Sequence, residues 1–158
     1  MTQDITAPSD TRPLVTVRGL KKSFGELEVL RGIDFEVAAG TVTVLIGPSG
    51  SGKTTVLRSL NALERADAGI VEIGDVSVDF AQQPGKRDVA ALRAQSAMVF
   101  QAHNLFPHLS VLQNVTEGPV VVQRRPAAEV RTEALQLLDQ VGLASKADQY
   151  PYQLSGGQ

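Results

Sequence analysis

The chain has 158 residues, of which 42% are hydrophobic and 20% are charged, and its formal net charge is −2. These fractions are those of a globular domain with a buried core, so they exclude a disordered or collagen-like chain, and the charge offers no general basic surface for nucleic acid. The sequence contains no cysteine, which excludes a disulfide framework and thiolate metal sites and fits a reducing compartment.

Two features of the sequence bear on location: residues 1–13 are polar, and long apolar runs are lacking. Residues 1–13 carry no basic-then-apolar signal pattern and read as a disordered tail. No apolar run approaches the roughly 18 residues of a membrane span. We therefore expect a cytosolic protein that reaches a membrane only through a partner.

The first half of the chain predicts strands separated by glycine turns. Residues 14–17 and 33–37 alternate apolar and polar side chains, which is typical of half-buried strands. The apolar run 42–46 follows a turn at Gly40 and predicts a buried strand. A helix is expected directly after the next glycine cluster, because apolar residues recur there at helical spacing: Val56, Leu57, Leu60 and Leu63.

Further along, residues 70–80 predict two short strands around Gly74 and Asp75, 88–94 a short helix and 97–100 a short strand. The segment 118–122 is ambiguous, since its valines favour a strand and Pro119 disfavours one. The clearest helix is 126–141, with an apolar stripe of Val130, Ala134, Leu137, Leu138 and Val141, and with Gly142 as its C-terminal cap. The predicted class is α/β, with antiparallel strands on one flank and a helical segment toward the end.

One segment carries a chemical signal of its own: Gly47, Pro48, Ser49, Gly50, Ser51, Gly52, Lys53 and Thr54 match the P-loop (Walker A) pattern. A polyphosphate needs several backbone N–H groups that converge on its oxygens, and glycines let the chain curl closely enough. The following helix adds the positive end of its dipole. Lys53 is placed to reach the β- and γ-phosphates, and the Thr54 hydroxyl to ligate Mg²⁺.

Three further motifs stand in order around this loop: Phe24 within 21–25, Gln101 after Met98, Val99 and Phe100, and the final Leu154, Ser155, Gly156, Gly157 and Gln158. Together with the phosphate loop they resemble the ABC ATPase family over residues 14–158. The stretch 101–115, with Gly118 and Pro119 after it and with Tyr150 and Pro151 before the last motif, resembles importers of polar amino acids.

The resemblance implies the remaining roles. Phe24 would stack on adenine, residues 47–55, including Thr55, would bind the phosphates, and Gln101 would lie near Mg²⁺ and the attacking water, acting with Lys53 in catalysis. Ser155, Gly156, Gly157 and Gln158 would face the γ-phosphate of ATP held by another subunit. It also implies the fold, a P-loop ABC-type nucleotide-binding domain whose mixed sheet has an antiparallel flank and a helical subdomain.

The implied partners are a second ATPase subunit in a homodimer, transmembrane permease subunits, and indirectly an extracytoplasmic solute-binding protein, but no nucleic acid. Residues 103–110 would meet the permease, with Phe106 and Leu109 as apolar anchors, and packing in the core is the alternative role for Phe106. The protein would then sit peripherally on the cytoplasmic side of the cell membrane.

Other conspicuous residues are given structural interpretations. His103 and His108 do not lie where the family's switch histidine would be, and Asp79 is interpreted as a solvated turn residue. Lys21 with Lys22, and Arg124 with Arg125, are interpreted as solvated charge pairs.

The resemblance places the catalytic carboxylates and the switch histidine after Gln158, so we expect a C-terminally truncated domain that is inactive alone. Two alternatives to an importer ATPase stay open: a non-catalytic nucleotide-binding module, and a soluble ABC ATPase not tied to transport.

Overall fold

A computed structural model describes residues 13–158. The predicted tail therefore lies outside the described residues, apart from Pro13. The chain divides into a first unit that ends at Met98 and a second unit, Val99–Gln158. Each unit has its own hydrophobic core.

The first unit is built on a four-stranded antiparallel sheet in the order β2-β1-β3-β4. The strands are β1 (Val15–Phe24), β2 (Leu27–Val37), β3 (Ala68–Ile73) and β4 (Val76–Asp79). The hairpin of β3 and β4 around residues 74–75 is confirmed. β1 and β2 are longer than predicted, because their pairing continues as far as Phe24 and Leu27 through several register shifts.

Two helices complete the first unit, α1 (Lys53–Leu60) and α2 (Lys86–Ala94), and both predictions are confirmed. A short 3₁₀ turn, Phe80–Gln82, follows β4. Apolar residues of the sheet and helices form one core, and its most completely buried members are Val17, Leu20, Leu30, Val71, Phe80 and Leu92.

Two predicted strands are wrong. Residues 42–46 and 97–100 are not in strands, and Val42, Ile46 and Val99 are 90%, 89% and 96% exposed. A strand forms only when its backbone groups pair with a neighbour, and none of the four strands in residues 13–158 pairs with either segment. The sheet that is present is accordingly antiparallel throughout, rather than mixed.

The second unit is helical: α3 (Val111–Glu117) continues into a π-helix, Gly118–Val122, and α4 covers Ala127–Gln140. The ambiguous segment 118–122 is thus neither strand nor break. Pro119 has no N–H for the α-helical ladder, and the helix widens there, with Gln123 N–H donating to Gly118 O at 3.2 Å.

The α4 prediction is confirmed, with Pro126 and Val141 as its flanking caps and Gly142 in the left-handed region at φ 71°. Only part of its apolar stripe is buried. Val130, Ala134 and Leu138 are buried, whereas Leu137 and Val141 are exposed. Ala134 and Leu138 pack in the core of this unit with Val111, Leu112 and Ala147.

Candidate nucleotide-binding site

The phosphate loop, residues 47–54, runs into the N-terminus of α1 and passes over β2. Gly52 precedes α1 with φ 89°, in the left-handed region, and no side chain caps the helix. A Cβ atom at this position would lie 3.1 Å from Leu30 Cδ2 and 3.2 Å from Val29 Cγ1. Glycine is required here by backbone conformation and by the closeness of β2.

Unpaired backbone donors point from the start of α1. Its first helical bond runs from Val56 N–H to Gly52 O at 2.9 Å, so the N–H groups of Lys53, Thr54 and Thr55 have no acceptor within the helix. These three residues and residues 49–52 line a cavity of about 220 Å³. Free N–H groups at the positive end of a helix dipole form a site for an anion.

Lys53 adds a mobile cation to this cavity. Its Nζ donates to Gly47 O at 2.9 Å and to Pro48 O at 2.7 Å, and it lies 3.4 Å from Ser51 Oγ. The ammonium group is thus folded onto oxygens of the loop itself. Phosphate oxygens are acceptors of the same kind with a negative charge, so they compete favourably for the same donor.

These groups fit a triphosphate with Mg²⁺. Residues 47–55 supply the N–H donors and the cation, and the exposed Thr54 hydroxyl is a hard oxygen ligand. In the part of the chain that the structure describes, no three His, Asp or Glu side chains gather into a metal site. Thr54 would hold Mg²⁺ here together with oxygens of the bound phosphates.

Phe24 lies at the end of β1, beside the hairpin turn, where it pairs with Leu27. Its side chain is 48% exposed, so the ring is not part of the core and has surface on which a ligand could stack. The hairpin also links this ring to the phosphate loop. Lys22 of β1 lies opposite Leu30 of β2, and the Leu30 side chain is the one that approaches Gly52.

Lys22 is not the solvated charge that the sequence led us to expect. Its side chain is only 12% exposed, and its Nζ lies 3.2 Å from Glu64 Oε1 and 3.3 Å from Asp67 Oδ1. Burial alone would lower the pKa of Lys22, but the hydrogen bonds and charges of Glu64 and Asp67 outweigh it and raise that pKa above its usual value. The same Nζ lies 5.1 Å from the centre of the Phe24 ring.

Gln101 and the last four residues, Ser155–Gln158, belong to the second unit. Gln101 is exposed in a bend, and the final residues are exposed in a turn closed by Gln158 N–H donating to Ser155 O at 2.9 Å. The structure therefore brings together residues 47–55, with Phe24 on the adjoining hairpin, within one unit. The roles of all these residues toward ATP, including those of Gln101 and Ser155, stay predictions.

The remaining sequence interpretations have mixed outcomes. Asp79 is part-buried, and its Oδ1 accepts a hydrogen bond from Ala81 N–H at 2.9 Å, so it caps a turn rather than being merely solvated. Arg125 pairs with Glu129 and Glu133 of α4, so it forms ion pairs with that helix rather than being only solvated. His108 packs edge-on against Phe106, with ring centres 6.0 Å apart.

Helix α3 and the side-chain cap at its N-terminus were not predicted from the sequence. Ser110 Oγ accepts from Gln113 N–H at 3.2 Å, and Gln113 Oε1 accepts from Ser110 N–H at 2.8 Å. This reciprocal pair is a capping box, and the Ser-x-x-Gln pattern would have predicted it. Asn114, one residue later, binds the preceding loop through both Phe106 O and Phe106 N–H, at 3.1 and 2.8 Å.

Residues 30–158 match the protein family described as "ABC transporter". The chain is 56% identical over 145 residues to the L-cystine import ATP-binding protein TcyC of Bacillus subtilis, a match that covers 92% of this chain and 59% of that protein. It is 46% identical over 151 residues to the arginine transport ATP-binding protein ArgV of Corynebacterium glutamicum, with 92% and 59% covered.

The fold has a solved counterpart in cbiO1 from Clostridium perfringens, described as part of the ABC transporter complex cbiONQ. The TM-score is 0.78 at 26% identity, and the match covers 92% of this chain and 57% of that one. The chain thus spans less than two thirds of the length of these relatives. The family match over residues 30–158 includes the whole phosphate loop, and this chain belongs to the ABC transporter family, grouping with its ATP-binding proteins.

Proposed function

We propose that the full-length protein is the ATP-binding and ATP-hydrolysing subunit of an importer for polar amino acids. The observation that carries this proposal is the phosphate loop, where unpaired N–H groups of α1 and the Lys53 cation line one cavity. The substrate class is supported by relatives named for cystine import and arginine transport, and by a glutamate transport ATP-binding protein from Corynebacterium efficiens at 44% identity.

ATP would be held by residues of this chain in three parts. Residues 47–55 would bind the phosphates, Thr54 would hold Mg²⁺, and Phe24 would stack on the adenine. Gln101 would lie near Mg²⁺ and orient the water, while Lys53 would stabilise the charge that develops on the transferred phosphoryl group. Mg²⁺, when bound, neutralises phosphate charge and polarises the bond that breaks.

The proposed domain is residues 14–158 as part of an ABC ATP-binding domain, with a helical subdomain up to the final motif. In this proposal the apolar run 42–46 becomes a strand of a mixed sheet once neighbouring strands of the longer protein pair with it. Its exposed Val42, Val44 and Ile46 support that interpretation, because an apolar run so exposed has no partner within residues 13–158.

The proposed partners follow from surfaces that residues 13–158 leave open. Ser155 and the amides after it are exposed, and we propose that they bind the γ-phosphate of ATP in a second copy. Permease subunits would contact residues 103–110, where Phe106 is 49% exposed. None of the helices in residues 13–158 is long and apolar enough to span a bilayer, so the proposed peripheral position on the cytoplasmic face of the membrane would depend on those subunits.

Lys53→Ala in the full-length protein tests the central claim. Loss of a charge-assisted hydrogen bond costs about 1.5–3 kcal/mol, so we expect ATP affinity to fall about tenfold or more. The matched control is Lys86→Ala, because Lys86 likewise follows a glycine at the first position of a helix. Titration with a fluorescent ATP analogue and phosphate-release assays measure the effect.

If Lys53→Ala binds and hydrolyses ATP like the parent protein, the phosphate site is wrongly assigned. If it binds and hydrolyses ATP no worse than Lys86→Ala, the effect is one of surface charge alone. A parent protein that binds ATP but does not hydrolyse it, even with permease present, would favour the non-catalytic module instead.

A further inference from the structure

The Phe24 ring lies at the edge of the sheet's hairpin, where few core side chains pack against it. It ends β1 next to Gly25, and its hairpin partner Leu27 is 66% exposed. A half-exposed side chain at the end of a hairpin has several rotamers available to it. Stacking on a base requires one ring orientation, so a neighbouring group must select that orientation.

Lys22 is the group placed to select that orientation. Residues two apart on a strand share a face, and the Lys22 Nζ lies 5.1 Å from the centre of the Phe24 ring. A cation at this distance is attracted to the negative face of an aromatic ring. One face of Phe24 is thereby directed toward Lys22, and the other is left for a ligand.

Lys22 is itself fixed from three sides. Its Nζ donates to Arg65 O at 2.7 Å and pairs with Glu64 and Asp67. Asp67 also accepts from Ser23 N–H at 2.6 Å, and its own N–H donates to Lys21 O at 2.9 Å. A cation that is only 12% exposed and held by two carboxylates has little freedom to move.

The anchoring segment belongs to the same structural unit as the phosphate loop. Residues 64–67 follow the end of α1, and the N-terminus of α1 presents the unpaired N–H groups. α1 is held at both ends, because Gly52 lies against β2 and the segment after α1 is bound to β1. Ring and phosphate site are therefore connected through residues with fixed contacts.

We propose that Lys22 is a positioning residue for adenine recognition, holding the Phe24 ring so that its open face stacks on the base. This rests on the proposed function, since it concerns how the same site reads the base of ATP. Lys22 is not among the residues that line the phosphate-loop cavity. Its loss should weaken recognition of the base and leave recognition of the phosphates unchanged.

The test compares two ligands in the full-length protein, Mg²⁺-ATP and inorganic tripolyphosphate with Mg²⁺. In Lys22→Met we expect ATP affinity to fall about two- to tenfold, the range that corresponds to one aromatic stacking contact, with tripolyphosphate affinity unchanged. Lys22→Arg should restore most of the ATP affinity, because it keeps the cation. The control is Arg31→Met on the facing strand, whose exposed ion pair with Glu28 at 3.6 Å touches no ring.

A double variant separates positioning from an independent contribution. If Lys22 acts through the ring, Lys22→Met combined with Phe24→Ala should bind ATP no more weakly than Phe24→Ala alone. Should Lys22→Met not fold, Glu64→Gln removes one of the two carboxylate partners and should give a smaller loss, again confined to ATP.

Three results would overturn the proposal: equal weakening of ATP and tripolyphosphate, unchanged ATP affinity, or additive losses in the double variant. A failure of the proposed function is recognised separately. In that case the parent protein binds neither ligand, or Lys53→Ala binds both ligands as the parent does. The role proposed for Lys22 is then also wrong. Weakening for ATP alone, rescued by Lys22→Arg and absent in Arg31→Met, supports it.

Discussion

Two glycines of the phosphate loop share a backbone conformation but differ in their surroundings. Gly50 has φ 80° and Gly52 has φ 89°, both in the left-handed region. A Cβ at Gly50 would meet nothing within 4 Å, whereas one at Gly52 would lie 3.1 Å from Leu30 Cδ2 and 3.2 Å from Val29 Cγ1. Replacing each by alanine therefore separates conformational strain from steric crowding.

The expected magnitudes follow from these two terms. A left-handed alanine costs about 1–2 kcal/mol, which is the whole cost at Gly50. At Gly52 overpacking adds about 1–3 kcal/mol, because the added Cβ would press on Leu30, which is fully buried. We expect Gly52→Ala to lower the free energy of unfolding by at least about 1 kcal/mol more than Gly50→Ala.

Urea denaturation of the full-length protein without nucleotide measures both values under the same conditions. The absence of nucleotide matters, since bound ATP would add its own stabilisation and conceal the difference. Equal destabilisation by the two substitutions, or a larger effect at Gly50, would refute the idea that β2 supports the loop at Gly52. A loss of ATP affinity in both variants is expected and does not distinguish them.

Two further predictions concern the second unit. Ser155→Arg in the full-length protein should abolish ATP-dependent dimerisation and uptake while leaving ATP binding to the monomer nearly intact. Analytical ultracentrifugation and a transport assay with the permease measure these effects. Undiminished dimerisation would rule out a nucleotide site shared between two copies. Asn114→Ala removes the contacts to Phe106 and, through Nδ2, to Leu109 O at 3.1 Å, so uptake should fall severalfold while ATP binding stays constant. Thr116→Ala, which loses one bond of 3.3 Å within α3, is the control, and a matching loss in both variants would mean that the loop has no special part in coupling.

The site was more predictable from sequence than the sheet was. The phosphate loop is a local motif, because its glycines, Lys53 and the helix after it are adjacent in the chain, and the structure assembles them as expected. The strand prediction for residues 42–46 was wrong because strand formation depends on a neighbouring strand, and an apolar run does not reveal whether one is present. The same reason applies to 97–100.

The burial of Lys22 is not predictable from sequence for a related reason. Its sequence neighbours, Lys21 and Ser23, suggest an exposed charge, and its partners Glu64 and Asp67 are more than 40 positions away. No local sequence pattern predicts this contact, because it depends on how the segment after α1 packs against β1. The helix α3, by contrast, is predictable from sequence, since the capping box of Ser110 and Gln113 is local.

The antiparallel ladder of β1 and β2 has a consequence for the length of ligand that the site can accept. Phe24 and the cross-strand pair of Lys22 and Leu30 are two residues apart, about 7 Å along the strand, and Leu30 in turn lies against Gly52. If Phe24 stacks on the base as proposed, the separation between base and phosphates would be set by this backbone pairing. The pairing already has one register shift here, between Lys22 and Ser23. A further shift of one residue would move Phe24 to the opposite face of the sheet, so insertions or deletions within residues 22–30 should be far less tolerated than changes of side chain.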